Sequence, residues 1–321
     1  MYDQMSLQEM KTYKGADPIP EDFDKFREDE IKNCNTNEYK LIKKDYNIKN
    51  ADCYELIFRD DDGSEIYSKC MFPKNKKKSA TVFYFHGYQN QSPARTYAMK
   101  YPMNDFGIVM MDVRGQCGKS TDMGKYSGIT AKGHVIRGLE DGRENLFYTK
   151  IYKDVFRLIE IVSKLEFVDE NMLFTQGGSQ GGALALVGSA LNKKIKKTVV
   201  QYPWLGDLKR LLLWQSHEEP YDELYRYFKY KDPFHITEEK VMKTLAYIDV
   251  KNFSHLIKSD VTMITGLEDI VCFPSTQYAI YNRLECEKEI YHLPEYGHET
   301  MNVYVEDFMF NKLTGSTIEL L

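Results

Sequence analysis

The sequence predicts an α/β fold built on a mainly parallel sheet flanked by helices, and three observations carry that expectation. Short apolar runs recur along the chain at TVFYF (81–85), IVMMDV (108–113), TVVQY (198–202), VTMITG (261–266) and EIYHL (289–293). Segments of helical spacing lie between them; Ile151, Val155, Leu158, Ile159 and Val162 would form one apolar face. The first two runs are followed by glycine-bearing loops, as expected of strands covered on both faces. Strands that alternate with helices pair in parallel through right-handed crossovers.

Along the chain, the first fifty residues are polar and read as an irregular extension wrapping the outside, which makes 51–321 the main domain. CYELIFRDDDGSEIYSKCMF, from Cys53, reads as two strands around a turn at Asp62-Gly63. The basic run Lys74 to Lys78 is a solvated turn between strands. MLFT (172–175) is a strand, GGSQGG a turn and ALALVGSAL a helix. The stretch from about 204 to 256 is too long for a simple crossover and reads as a helical cap inserted over the carboxyl edge of the sheet.

Composition narrows the function classes. Hydrophobic residues are 42% and charged residues 28%, ordinary for a globular chain of 321 residues. The formal charge of -5 is too small to imply nucleic acid or another electrostatic partner. No apolar run approaches the roughly 18 residues of a membrane helix, and MYDQMSLQEM lacks a signal-peptide pattern, so the expectation is a cytoplasmic protein without a membrane partner. Cysteines at 34, 53, 70, 117, 272 and 286 lack metal-site spacing and read as reduced thiols. For the 24 tyrosines, half-buried packing is the simplest account, with a pocket or subunit contact as the alternative.

The chemistry gathers at TQGGSQGGAL. Gly177-Gly178-Ser179-Gln180-Gly181 fits G-x-S-x-G and sits after a strand and before a helix, where that pattern needs to be. A sharp strand-to-helix turn strains the serine backbone, exposes its hydroxyl and requires flanking glycines. The helix amino terminus, with the N–H of the residue after the serine, favours developing negative charge. A neutral serine is a poor nucleophile and needs a base oriented by an acid, in the chain order serine, acid, histidine.

Among the later histidines, His298 follows a strand in the loop PEYGHE, whereas His292 lies inside that strand and His217, His235 and His255 fall in the cap region. For the acid, TGLEDIVCFP offers Asp269, with Glu268 as its neighbour pointing elsewhere, just past a strand end. The second oxyanion donor should come from HGYQN after an early strand. Gly87 would let the chain turn back, so the backbone N–H groups of Tyr88 and Gln180 form the expected pair. His86 precedes the serine and reads as a structural residue at a strand end.

With these residues placed, the sequence resembles the acetyl xylan esterase and cephalosporin C deacetylase family, carbohydrate esterase family seven. The matching motifs are Arg114-Gly115-Gln116, Gly177 to Gly181 around Ser179, and His298-Glu299, with similar stretches such as YFKYKDPF, TLAYIDVKNF and GLEDIVCFPST between about Cys53 and Glu299. The resemblance implies an α/β-hydrolase with Ser179, Asp269 and His298 as the triad and with Arg114 and Gln116 tying loops near the site. It also implies hexameric rings that admit short acetylated sugars. Two departures, QNQSP after Tyr88 and Phe273 where relatives often carry proline, lie near the expected pocket, where acyl size and substrate preference are set.

The expected function is therefore a serine esterase removing acetyl groups from xylo-oligosaccharides and other small acetate esters, cephalosporin C among them, with no metal or organic cofactor. A peptidase or an esterase for longer acyl chains on the same fold is the alternative within hydrolases. A non-catalytic sugar-binding or scaffold protein would be marked by a broken triad, and all three residues are present.

Overall fold

The apolar runs pair into one nine-stranded sheet with strand order β1-β2-β3-β5-β4-β6-β7-β8-β9. A computed structural model describes residues 3–129, 132–214 and 218–319; His217 lies outside the described residues. The strands are β1 (Tyr39–Lys44), β2 (Ala51–Arg59), β3 (Glu65–Pro73), β4 (Ser79–Phe85), β5 (Gly107–Met111), β6 (Val168–Gly178), β7 (Ile195–Gln201), β8 (Asp260–Gly266) and β9 (Lys288–Leu293). β1, β2, β3 and β5 pair antiparallel, while every pairing from β5 through β4 to β9 is parallel. The Asp62-Gly63 turn joins β2 to β3, and residues 74–78 form an exposed turn before β4.

The helices are α1 (Leu7–Met10), α2 (Phe23–Lys32), α3 (Arg95–Ala98), α4 (Lys100–Met103), α5 (Phe147–Ser163), α6 (Gln180–Leu191), α7 (Leu208–Leu213), α8 (Asp222–Tyr230), α9 (Glu238–Leu245), α10 (Pro274–Asn282) and α11 (Val303–Thr314). The residues Ile151, Val155, Leu158, Ile159 and Val162 of α5 are all fully buried. α6 has no polar face, and every one of its residues is buried because it lies between the sheet, α5 and the 3-10 segment Val250–Leu256. Among the described residues no helix is long and apolar enough to cross a membrane.

The strand order places the site before any side chain is considered. The chain leaves β4 for β5 on one side and reaches β6 on the other, so the crevice at the carboxyl ends of β4 and β6 is a topological switch point, where open α/β sheets bind ligands. The loop after β4 carries Gly87 and Tyr88, and Ser179 follows β6 directly.

The first fifty residues carry more regular structure than their polar composition suggested. Met10, Phe23 and Phe26 are buried and give α1 and α2 anchors in the core, and β1 adds an edge strand to the sheet. Buried Arg27 lies among the rings of Phe23, Phe26, Tyr152 and Phe253, 4.7 to 5.7 Å from their centroids. Few apolar residues thus suffice, because each is fully used.

Between residues 204 and 256 the described chain is helical, with Trp204 at the centre of a ring cluster formed by Tyr88, Tyr148 and Tyr221. Glu223 of α8 is fully buried and accepts the Val135 N–H, while its Oε2 has no partner. Burial pushes its pKa up to about 8, against the pull of the Val135 and Ile136 N–H groups. A carboxyl raised in the folded state adds stability while protonated and loses it as pH climbs from the ordinary carboxylate range through that value. Glu223→Gln keeps the accepting oxygen and puts the amide where Oε2 finds no partner. Denaturant melts at pH 5.5 and 8.5 should show the wild type losing stability relative to Glu223→Gln as pH rises, by on the order of a few kcal/mol; parallel pH profiles would contradict this.

Candidate active site

Ser179 sits at φ 55° and ψ −122°, a conformation L-residues rarely hold. Its N–H donates to Gln201 O at 3.1 Å and its carbonyl accepts the Trp204 N–H at 3.1 Å, so the strained residue is tied on both sides. The glycines around it are steric necessities. A Cβ on Gly177 would fall 2.3 Å from Gly181 C, and one on Gly181 would fall 2.0 Å from Phe85 O, in each case against backbone that cannot swing away. β6, the start of α6 and the end of β4 therefore touch main chain to main chain.

His298 and Asp269 arrive from the far side of the sheet. Asp269 follows β8, and His298 follows β9 in the loop expected from sequence. His298 Nε2 lies 3.0 Å from Ser179 Oγ and Nδ1 lies 2.9 Å from Asp269 Oδ2. Asp269 is fully buried, and its Oδ1 accepts the N–H groups of Val271 at 2.9 Å and Cys272 at 2.8 Å. Two N–H donors and the imidazole together hold the carboxyl group in place. The His298 side chain is 21% exposed, open to the cavity on its serine side. Glu268 is exposed, as expected from its turn.

Gln180, the first residue of α6, has no partner for its N–H within the helix. Its buried side chain was not foreseen as a tie. Gln180 Oε1 accepts from Gln116 Nε2 and from the Tyr148 hydroxyl, each at 2.7 Å, and Gln180 Nε2 donates to Gln116 Oε1 at 3.1 Å. Weaker contacts of 3.4 Å run from Gln180 Nε2 to the carbonyls of His86 and Gly87. One side chain thus links α6, the loop after β4 and the loop holding Gln116.

That last loop is anchored by Arg114, which is fully buried. Its guanidinium donates to Asp154 at 2.6 and 2.7 Å, to Asp60 at 2.6 Å and to Asp62 at 3.1 Å. Burial opposes its charge, but the carboxylates of Asp154 and Asp60 outweigh burial and hold its pKa above the ordinary arginine value. Gly115, at φ 60°, makes the turn between these two residues, with Asp122 pressed against the space a Cβ would take.

Tyr88 and Gly87 line the same cavity as Ser179 and His298. The Tyr88 hydroxyl accepts the His134 N–H at 2.9 Å, which fixes the loop. Gly87 differs from the sequence expectation: a Cβ there meets nothing within 4 Å, so room for the chain is not what glycine supplies. His86 is buried, accepts the Val113 N–H at Nε2 (3.0 Å) and lies 2.7 Å from Gly87 O at Nδ1. Burial lowers its pKa, and the two bonds fit a neutral ring with the proton on Nδ1, a strand-end tie. Glu299 turns its side chain to solvent, while its carbonyl accepts the hydroxyl of Tyr202, whose ring lies 4.5 Å from that of His298. Among the other histidines, His235 pairs with Glu238 at 2.7 Å, His255 with Asp24 at 2.8 Å, and His292 contacts the Tyr278 hydroxyl.

Among the described residues two groups have metal-ligand atoms close together. Asp17, Asp207 and Asp249 surround the ammonium of Lys251, at 2.7, 3.5 and 2.6 Å. The other group is Asp269, Cys272 and His298, two of which already bond each other.

The family model described as acetyl xylan esterase (AXE1) matches residues 1–315. The chain belongs to the acetyl xylan esterase family. It is 31% identical over 263 residues to the acetyl esterase Axe7A of Xylanibacter ruminicola, an alignment covering 79% of this chain and 57% of that relative's length. Among solved structures it is similar to acetyl xylan esterase 1 from Thermoanaerobacterium sp. JW/SL YS485, with 38% identity and a TM-score of 0.92 over 97% of this chain and 98% of the other. The acetyl xylan esterase from Paenibacillus sp. R4 gives 28% identity and a TM-score of 0.91 over 98% and 100%.

The contrast between the two glycines is testable. Gly181→Ala must separate β4 from α6 and should lower unfolding stability by at least about 2 kcal/mol, with a cut in acetyl ester turnover on the order of 100-fold as Ser179 shifts. Gly87→Ala should leave the unfolding stability within about 0.5 kcal/mol of wild type. Equal stabilities for the two variants would show that the close approach of β4 to Gly181 does not constrain the turn.

Proposed function

We propose that this chain is a serine esterase that removes O-acetyl groups from acetylated xylo-oligosaccharides and other small acetate esters. The observation that carries the reading is the unbroken hydrogen-bond chain from Ser179 Oγ through His298 to Asp269, at 3.0 and 2.9 Å, with Ser179 and His298 lining a cavity of about 600 Å³. Family membership and the acetyl esterase names of the relatives support the acyl group.

In this mechanism Ser179 Oγ attacks the acetyl carbonyl carbon while its proton passes to His298 Nε2. Asp269 keeps the other ring proton on Nδ1 and stabilises the imidazolium that forms. The N–H groups of Tyr88 and Gln180 receive the charge that builds on the carbonyl oxygen. The tetrahedral intermediate collapses, His298 returns the proton to the departing sugar oxygen, and an acetyl-serine remains. Water then attacks this ester with His298 as base, releasing acetate and restoring the hydroxyl. The sequence of steps calls on no metal or organic cofactor.

The proposal extends to the wider setting. Cephalosporin C would be a second acetyl donor, the location cytoplasmic and the assembly a hexamer, all three resting on family resemblance. Residues 1–50 would act as an extension on a domain of 51–321, with the insertion at about 204–256 forming one wall of the cavity through Glu219 and Pro220.

Hydrolysis of p-nitrophenyl acetate and octanoate, with acetylated xylo-oligosaccharide beside them, tests the reading. The acetate and the sugar should be cleaved and the octanoate barely touched. Ser179→Ala should lower kcat by on the order of 10⁴ or more, and Asp269→Asn by about 10⁴ through the wrong imidazole tautomer. A Ser179→Ala variant of near-normal activity would contradict the assignment, and a preference for octanoate would contradict the acyl choice.

A further inference from the structure

The cavity above Ser179 is far larger than an acetyl group, and the wall away from the helical insertion has no role in the steps above. That wall comes from β4, from α3 and α4, and from the first turns of α11, and it presents Tyr84, Tyr97, Lys100 and Glu306. The packing of Tyr101 on Phe310, 5.6 Å between centroids, ties α4 to α11 beneath it.

Lys100 is unusual for a half-buried cation. Its Nζ lies over the ring of Tyr97 at 4.3 Å and near those of Tyr101 at 5.7 Å and Phe310 at 5.9 Å. Among the described residues it forms no ion pair, and none of its side-chain N–H bonds reaches an acceptor. Burial lowers its pKa, while the carboxylates of Glu306 and Asp307 pull it back up. The aromatic rings hold the ammonium on the cavity wall with its donors unspent. Glu306 stands beside the Tyr97 hydroxyl, and the 40% exposed Tyr97 ring lines the cavity.

A wall of this kind sorts ligands by chemistry. With the carboxylates of Glu306 and Asp307 near the one ammonium of Lys100, the wall carries no positive excess to attract an anionic group. An alkyl chain laid on it would strip water from both charges and return no hydrogen bond. A neutral polyol offers acceptors to Lys100, donors to Glu306 and a C–H face to the Tyr97 ring. We propose that Lys100, Glu306 and Tyr97 form the subsite that binds the hydroxyls of a neutral sugar, the leaving group of the acetyl ester. This rests on the esterase reading of Ser179, and it names what that reading leaves open, the residues that select the alcohol half of the substrate.

The test uses Lys100→Met, which keeps the stem over Tyr97, and Glu306→Gln. The first readout is the ratio of kcat/KM for acetylated xylotriose to kcat/KM for p-nitrophenyl acetate, which carries no sugar. The ratio should fall at least about tenfold in each variant, mainly through KM on the sugar, as expected when a polar site loses a hydrogen-bond partner. The second readout is inhibition of p-nitrophenyl acetate hydrolysis by unacetylated xylotriose, whose inhibition constant should rise by a similar factor. An unchanged ratio, or an equal loss on both substrates, overturns the subsite while the esterase reading stands. A wild type that cleaves p-nitrophenyl acetate but neither cleaves acetylated xylotriose nor is inhibited by xylotriose overturns the subsite and the sugar substrate together.

Discussion

The backbone of Ser179, held at φ 55° and ψ −122°, is the constraint on which the site depends. A strained residue persists only where its surroundings over-determine it, and here the surroundings are main chain. Gly177 against Gly181, Gly181 against Phe85 O, and the bonds from Ser179 to Gln201 and Trp204 leave the turn no other path. The serine hydroxyl is thereby presented at the switch point of the sheet, within 3.0 Å of His298 Nε2. The position of the reactive atom is a property of strand spacing and glycine placement, and the loops inherit it.

Around that turn the protein spends polar side chains on rigidity. Gln180 and Gln116 face each other amide to amide, with Tyr148 completing the set, so the helix after the serine cannot rotate without breaking bonds in the loop after β5. That loop is in turn fixed by Arg114 among Asp60, Asp62 and Asp154. Buried charge of this density is a weak source of net stability, and its better use is to specify one arrangement. The proposed oxyanion donors sit on two of the segments so joined, which is what a pre-organised anion site requires.

Much of this was legible in the sequence, for identifiable reasons. Strands at 81–85, 198–202 and 261–266 are rich in apolar residues because both faces of the sheet are covered, and the helix at 151–162 shows its buried face because Lys150, Lys153 and Glu160 on its other side are only half-buried. Ser179, Asp269 and His298 were legible as candidates because each follows a strand and the chain order separates acid from base, and the structure brings the three side chains together. The first fifty residues misled because α1 and α2 rest on a handful of apolar anchors, too few to register as periodicity, and β1 is held by its pairing with β2. The Gln116–Gln180 pair spans sixty-four positions and no local pattern marks it. Lys100 and Glu306 are ordinary surface types until α4 and α11 are brought to one cavity. Gly87 shows the opposite error, a glycine credited with a steric need that the fold does not impose.

The esterase mechanism stands or falls on Ser179 carrying the acyl group. Rapid acid quenching during turnover of p-nitrophenyl acetate, followed by peptide mass spectrometry, tests this most directly. The expected result is one added acetyl group on the peptide containing TQGGSQGGAL, located at Ser179 and lost on longer incubation after substrate is exhausted. Acetyl found on Cys272 or another side chain as the kinetically competent species, with Ser179 unmodified throughout turnover, would contradict it.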